Sequence, residues 1–301
     1  MERVTRWISP TPAERLAAIG PTAALPPSLR QALEPGDAFA PIPAPEPSDW
    51  LANHPEASQT FTQFVRAGYN QPDARRHTVY LQPLGIFAPD DSPPLDHLQQ
   101  FAAAFFALDI VLLPALDIAA SPITARQNPH TRRTQLLTSD ILALLRRRLP
   151  DNAYAVLGIT MTDLYPDPAW NFVFGQASLR ERVGVYSFAR YDPRFFGAVA
   201  PDDGQQLMLR RSCEVLVHET AHMFGIAHCI YFHCLMNGSN HLAESDARPM
   251  HLCPVDLRKL QHSVGFDVVA RYQRLHEVCV RLGFTDEARW LRERWATIAL
   301  S

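Results

Sequence analysis

With 301 residues, 47% apolar and 20% charged side chains, the chain is long enough for one large domain with appendages, and its composition excludes fibrous and wholly disordered classes. A net charge of -3 and a pI near 6.4 leave no basic footprint for neutralising phosphates, so no nucleic acid partner is expected. The first ten residues lack an apolar run followed by a small-residue cleavage site. The longest apolar stretch, 101–116, is too short for a bilayer and is broken by Asp109 and Pro114, so the reading is a soluble, cytoplasmic protein without a membrane partner.

Along the chain, residues 1–76 carry prolines at 10, 12, 21, 26, 27, 35, 41, 43, 45 and 47, which forbids long helices and central strands. This stretch reads as an N-terminal extension wrapping the core, with short helices at 12–19 and 28–33. Regular patterning begins at His77. A strand at 78–84, an amphipathic helix at 94–108 and a strand at 109–113 make a βαβ unit, whose crossover implies parallel strands. A helix follows at 131–148, then a buried strand at 154–160 and two adjacent strands at 170–177 and 184–189. A long helix is expected at 204–224, and tail helices at 257–282, bent near Gly265, and 286–298.

Residues 218–228 read His-Glu-Thr-Ala-His-Met-Phe-Gly-Ile-Ala-His. On a helix, His218 and His222 face the same side one turn apart, so both imidazoles can reach one zinc ion. Glu219 is displaced by about 100° around the axis and can address a water in an open fourth position, as general base and then acid. Gly225 can take the left-handed conformation that stops a helix, which returns His228 as a third ligand. A bare HExxH arises by chance in a few per cent of chains of this composition, but the added Gly225 and His228 lower that to about one in ten thousand. The expected reaction is hydrolysis of a peptide bond in a peptide or protein substrate.

The five cysteines, at 213, 229, 234, 253 and 279, leave the first 212 residues bare, which argues against a disulfide framework and reads as metal chemistry in a reducing compartment. The motif with Cys229, Cys234 and Met236 behind it resembles the archaemetzincins, whose pattern is HExxHxxGxxHCx4CxM with a later CxxC. Here that last element reads Cys253-Pro254-Val255-Asp256. The resemblance extends over about 77–280, through Tyr80 to Gly85, Asp163-Leu164-Tyr165-Pro166, Trp170 to Ser178 and Ser187 to Tyr191.

That resemblance implies an α/β (α+β) fold: a metzincin-like twisted mixed β-sheet with an active-site helix, and a zinc-stabilised, largely helical C-terminal subdomain. Domains follow as the extension at 1–76 and a catalytic domain at 77–301, divided at 225/226. It also implies two zinc ions, one catalytic on His218, His222 and His228, and one structural on Cys229, Cys234 and Cys253. Asp256 stands where the fourth thiolate belongs and could ligate, since a carboxylate binds zinc at about 2.0–2.2 Å. It could equally cap a helix beginning near Leu257, with His233 or His251 ligating instead. Met236 would be the Met-turn residue or plain core, and Phe174, Gly175, Gln176 and Ala177 would form a substrate-binding edge strand or simply sheet. Cys213 and Cys279 read as buried bystanders. A zinc metallopeptidase is the first reading, and a catalytically silent, zinc-stabilised peptide-binding protein is the alternative.

Overall fold

The structure, a computed structural model, describes residues 7–57, 59–197 and 203–299. In chain order the first four helices are α1 (Pro12–Ile19), α2 (Pro27–Leu33), α3 (Trp50–Asn53) and α4 (Phe61–Ala67). There follow β1 (Thr78–Leu84), α5 (Leu95–Phe106), β2 (Asp109–Leu112), β3 (Ala125–Gln127), β4 (Thr134–Leu137), α6 (Thr138–Arg147), β5 (Ala153–Thr160), β6 (Asp163–Tyr165), β7 (Gly175–Ser178), β8 (Val183–Ser187) and α7 (Gly204–Met223). The chain ends with α8 (Leu242–Ala247), α9 (Pro254–Val264), α10 (Val268–Arg281) and α11 (Thr285–Ala299).

Two compact units result. Residues 70–224 form one, and the residues before 70 join those from 225 onward in the other. The first holds a five-stranded sheet of order β2-β1-β5-β8-β7, in which every pair is parallel except β7 against β8. β5 is buried at all eight positions, as its unbroken apolar run predicts for a central strand. The expected βαβ unit is present, with Thr78 to Leu81 in parallel register with Asp109 to Leu112.

The predicted helix at 131–148 begins later, because 134–137 is strand β4, paired to β3 and β6 in a second, three-stranded sheet. The Asn128 side chain accepts from the backbone N–H groups of His130 and Thr131, 2.9 Å each, and makes a turn where the helix would have started. The strand expected from Trp170 begins only at Gly175. Its first carbonyls are taken by side chains instead: Arg126 donates to Pro168 and Trp170, and Asn128 and Gln135 donate to Asn171 at 3.0 and 2.9 Å. Arg190 anchors the same stretch, buried on Asp163 through two 2.8 Å bonds and stacked on Phe172.

The other unit is helical. Arg294 on α11 donates to the carbonyls of Gln31, Ala32 and Glu34, taking up acceptors that the end of α2 leaves over. Arg258 on α9 donates to Ile19 and Pro21 and stacks on Phe61, which ties α1 and α4 to it. The proline-rich segment therefore folds as integral structure, and α3 and α4 fall after its dense run of prolines, on either side of Pro55. The single tail helix expected over 257–282 is two helices, broken where Gly265 takes φ 79° and Asp267 caps α10. No described helix is long and apolar enough to cross a membrane.

Candidate metal centres

Helix α7 carries His218 and His222, with ring nitrogens Nε2 3.2 Å apart. Two nitrogens bound at about 2.0–2.1 Å in a tetrahedron stand about 3.3–3.4 Å apart, so the pair already has the spacing of two zinc ligands. The end of the helix is held firmly. Phe224, directly after the helix, stacks between Phe106 and Tyr154 at 5.5 and 4.6 Å, and the Tyr154 hydroxyl donates to the Met223 carbonyl at 3.0 Å. Tyr186 of β8 donates to the Glu219 carbonyl at 3.5 Å, and its ring fits only because position 175 is glycine, where a Cβ would lie 2.4 Å from it. Burial, with the Glu219 charge adding, holds the Tyr186 phenol well above its ordinary pKa.

In the other unit, Gly225 takes φ 81° as expected, and the Tyr69 ring lies 2.2 Å from where a Cβ would project. Gly225→Ala is expected to lower the thermal midpoint by about 5 °C or more, and a second change, Tyr69→Ala, to recover the steric part but not the backbone part. Calorimetry of the two variants checks this. His228 follows, its Nδ1 2.7 Å from Glu56 and its ring 5.4 Å from Trp50, edge-on.

Cys229, Cys234, Cys253 and Asp256 come together with their ligand atoms within 4.8 Å of one another, all buried. Sγ of Cys229 and Cys253 are 3.6 Å apart, and the Asp256 Oδ2 is 3.4 and 3.5 Å from the sulfurs of Cys234 and Cys253. Around a zinc with Zn–S of about 2.3 Å and Zn–O of about 2.0 Å, tetrahedral edges measure about 3.8 and 3.5 Å, so this donor set fits the ion. Asp256 is not the cap of α9. Cys253 is the N-cap residue and Asp256 lies in the first turn, where a negative group also suits the helix dipole. His251 and His233 lie outside the group. His251 instead bonds Glu287 at 3.0 Å and stacks on Trp290.

The electrostatics of the cluster are uneven. Burial opposes charge on all three thiols, yet hydrogen bonds from Cys234, Cys253 and the Phe232 backbone, with the Lys259 charge, bring Cys229 well below its ordinary pKa. Burial and the neighbouring sulfurs hold Cys234 and Cys253 well above theirs. Asp256 is pushed up to about 6 by burial, against the pull of Lys259, which bonds its other oxygen at 2.8 Å. Asn237 braces the loop, donating to the carbonyls of Cys229 and Phe232 and accepting the Cys234 N–H. Met236 is fully buried and its carbonyl accepts the Cys229 N–H at 2.8 Å. Cys213 and Cys279 are buried outside the described groups that could hold a metal, and no cysteine forms a disulfide.

Phe174 to Ala177 are placed in part on an edge. β7 ends the five-stranded sheet, its Gly175 to Ser178 antiparallel to Tyr186 to Val183, while Phe174 precedes the strand. The Gln176 side chain accepts from the Thr138 hydroxyl. Lys259, Asn237, Glu56 and Gln59 were not foreseen. Asn237, three residues past Cys234 in a turn, is the one whose residue type signals its role.

The model of Peptidase family M54 matches residues 140–262. Archaemetzincin-2 of Rattus norvegicus is 39% identical over 293 residues, covering 86% of this chain and 82% of that protein. Archaemetzincin-2 of Homo sapiens is 38% identical over 275 residues, covering 82% and 76%. Among solved structures, the archaemetzincin of Methanopyrus kandleri aligns at a TM-score of 0.47 and 27% identity, over 64% of this chain and 97% of that one. The chain is accordingly a zinc metallopeptidase. It belongs to the archaemetzincin family.

Proposed function

We propose that this metallopeptidase, of metzincin type, binds a catalytic zinc through His218, His222 and His228 and a second, structural zinc through Cys229, Cys234, Cys253 and Asp256. The observation that carries the reading is the convergence of the His218 and His222 Nε2 atoms, 3.2 Å apart, on the helix that also bears Glu219. A zinc ion there supplies Lewis acidity toward the scissile carbonyl and its attacking water. Glu219 then takes the proton from that water and returns it to the departing amine. Backbone groups of β7 offer an open edge to which an extended peptide can add as a strand, with Phe174, Gly175, Gln176 and Ala177 along it. Five cysteines free of disulfides favour action in the reducing cytoplasm.

Chelation is expected to abolish peptide hydrolysis, and zinc to restore it, with two ions per chain by metal analysis. Full zinc loading with peptide binding but no cleavage would establish a silent binding protein in its place.

A further inference from the structure

The proline-rich segment before residue 70 contributes more than cover. We propose that Glu56 is the positioning residue of His228, holding its imidazole in the tautomer and orientation in which Nε2 can accept a metal ion. The inference rests on reading His228 as a ligand.

Glu56 Oε1 lies 2.7 Å from His228 Nδ1, with both side chains about one-fifth exposed, 22% and 21%. A carboxylate can only accept, so this contact calls for a hydrogen on Nδ1, and in the neutral ring the lone pair is then on Nε2. The same stretch grips the loop on which His228 sits. Gln59 donates to the Gly225 carbonyl at 2.9 Å and accepts the Ala227 N–H at 3.0 Å, so one amide side chain brackets the turn. Trp50 sets its ring edge-on to the His228 ring, and its backbone N–H donates to Glu244 at 2.9 Å. Contacts from residues 50 to 59 thus hold both the turn at Gly225 and the His228 ring. A carboxylate on the far nitrogen of an imidazole raises its basicity toward a metal and restricts its rotation.

The full-length chain is titrated with zinc against a competing chelator, the cysteine site serving as internal reference. Glu56→Ala is expected to weaken one of the two zincs by about 10- to 100-fold and leave the other unchanged. Glu56→Gln, which keeps an acceptor oxygen without the charge, is expected to lose less than about tenfold. The thermal midpoint of the zinc-free protein should be the same in all three, which separates positioning from folding. Wild-type zinc affinity in Glu56→Ala, with His228→Ala measured alongside and releasing one zinc, overturns the inference. If His228→Ala itself keeps both zincs at wild-type affinity, the ligand reading beneath it falls.

Discussion

Glu219→Gln is expected to lower peptide hydrolysis by about 10²- to 10⁴-fold with zinc content and thermal midpoint unchanged. The amide has the shape of the carboxylate but cannot take a proton, so the loss isolates proton transfer from metal binding. Glu219 sits one residue along α7 from His218, and its backbone carbonyl is fixed by Tyr186. The side chain therefore starts from a fixed point of the helix. Turnover with a quenched fluorogenic peptide set, measured beside zinc content, is the check. Activity within twofold of the wild type would remove Glu219 from the chemistry.

The second large effect belongs to the cysteine cluster. Asp256→Ala should bring bound zinc from two ions to one and cost much of the stability of that unit, because binding free energy at a structural zinc is folding free energy. Asp256→Cys should keep two ions, since a fourth sulfur is a normal zinc ligand. Lys259 makes the outcome more specific. On a zinc held there, three thiolates and a carboxylate would place four negative charges on a buried doubly charged ion, and the Lys259 ammonium, 1% exposed, would offset one of them. Lys259→Met is expected to weaken zinc at this site, by about 10-fold or more, without altering the stoichiometry at saturation. An Asp256→Ala protein that holds two zincs with wild-type affinity would take Asp256 out of the ligand set.

The periodic elements were legible in the sequence because burial there follows the pattern alone. β1, β5 and α7 begin within a residue of where spacing puts them, since each is set by its own apolar run. The failures share a cause. Residues 134–137 and 170–174 escape the pattern because what decides them is mostly distant: β4 pairs with β6, 28 residues on, as well as with the neighbouring β3, and the carbonyls near 170 are held by Arg126 and Gln135. Asp256 was legible as a donor through its place in a broken CxxC, yet its salt bridge to Lys259, three residues on, was readable only as helical spacing without a burial signal. Glu56 and Gln59 gave no local signal at all, because what they touch lies more than 160 residues away.

The division of the chain carries a consequence for its biosynthesis. One unit is interrupted by the other, so the residues before 70 leave the ribosome roughly 150 residues ahead of the partners they pack on. At about 5–20 residues per second that is a delay of roughly ten to thirty seconds. During it the segment that forms α1 to α4 lacks the later residues of its own unit, while the interposed α/β unit is completed. Under the proposed assignment, the residues of the cysteine cluster, 229 to 256, emerge only after that wait.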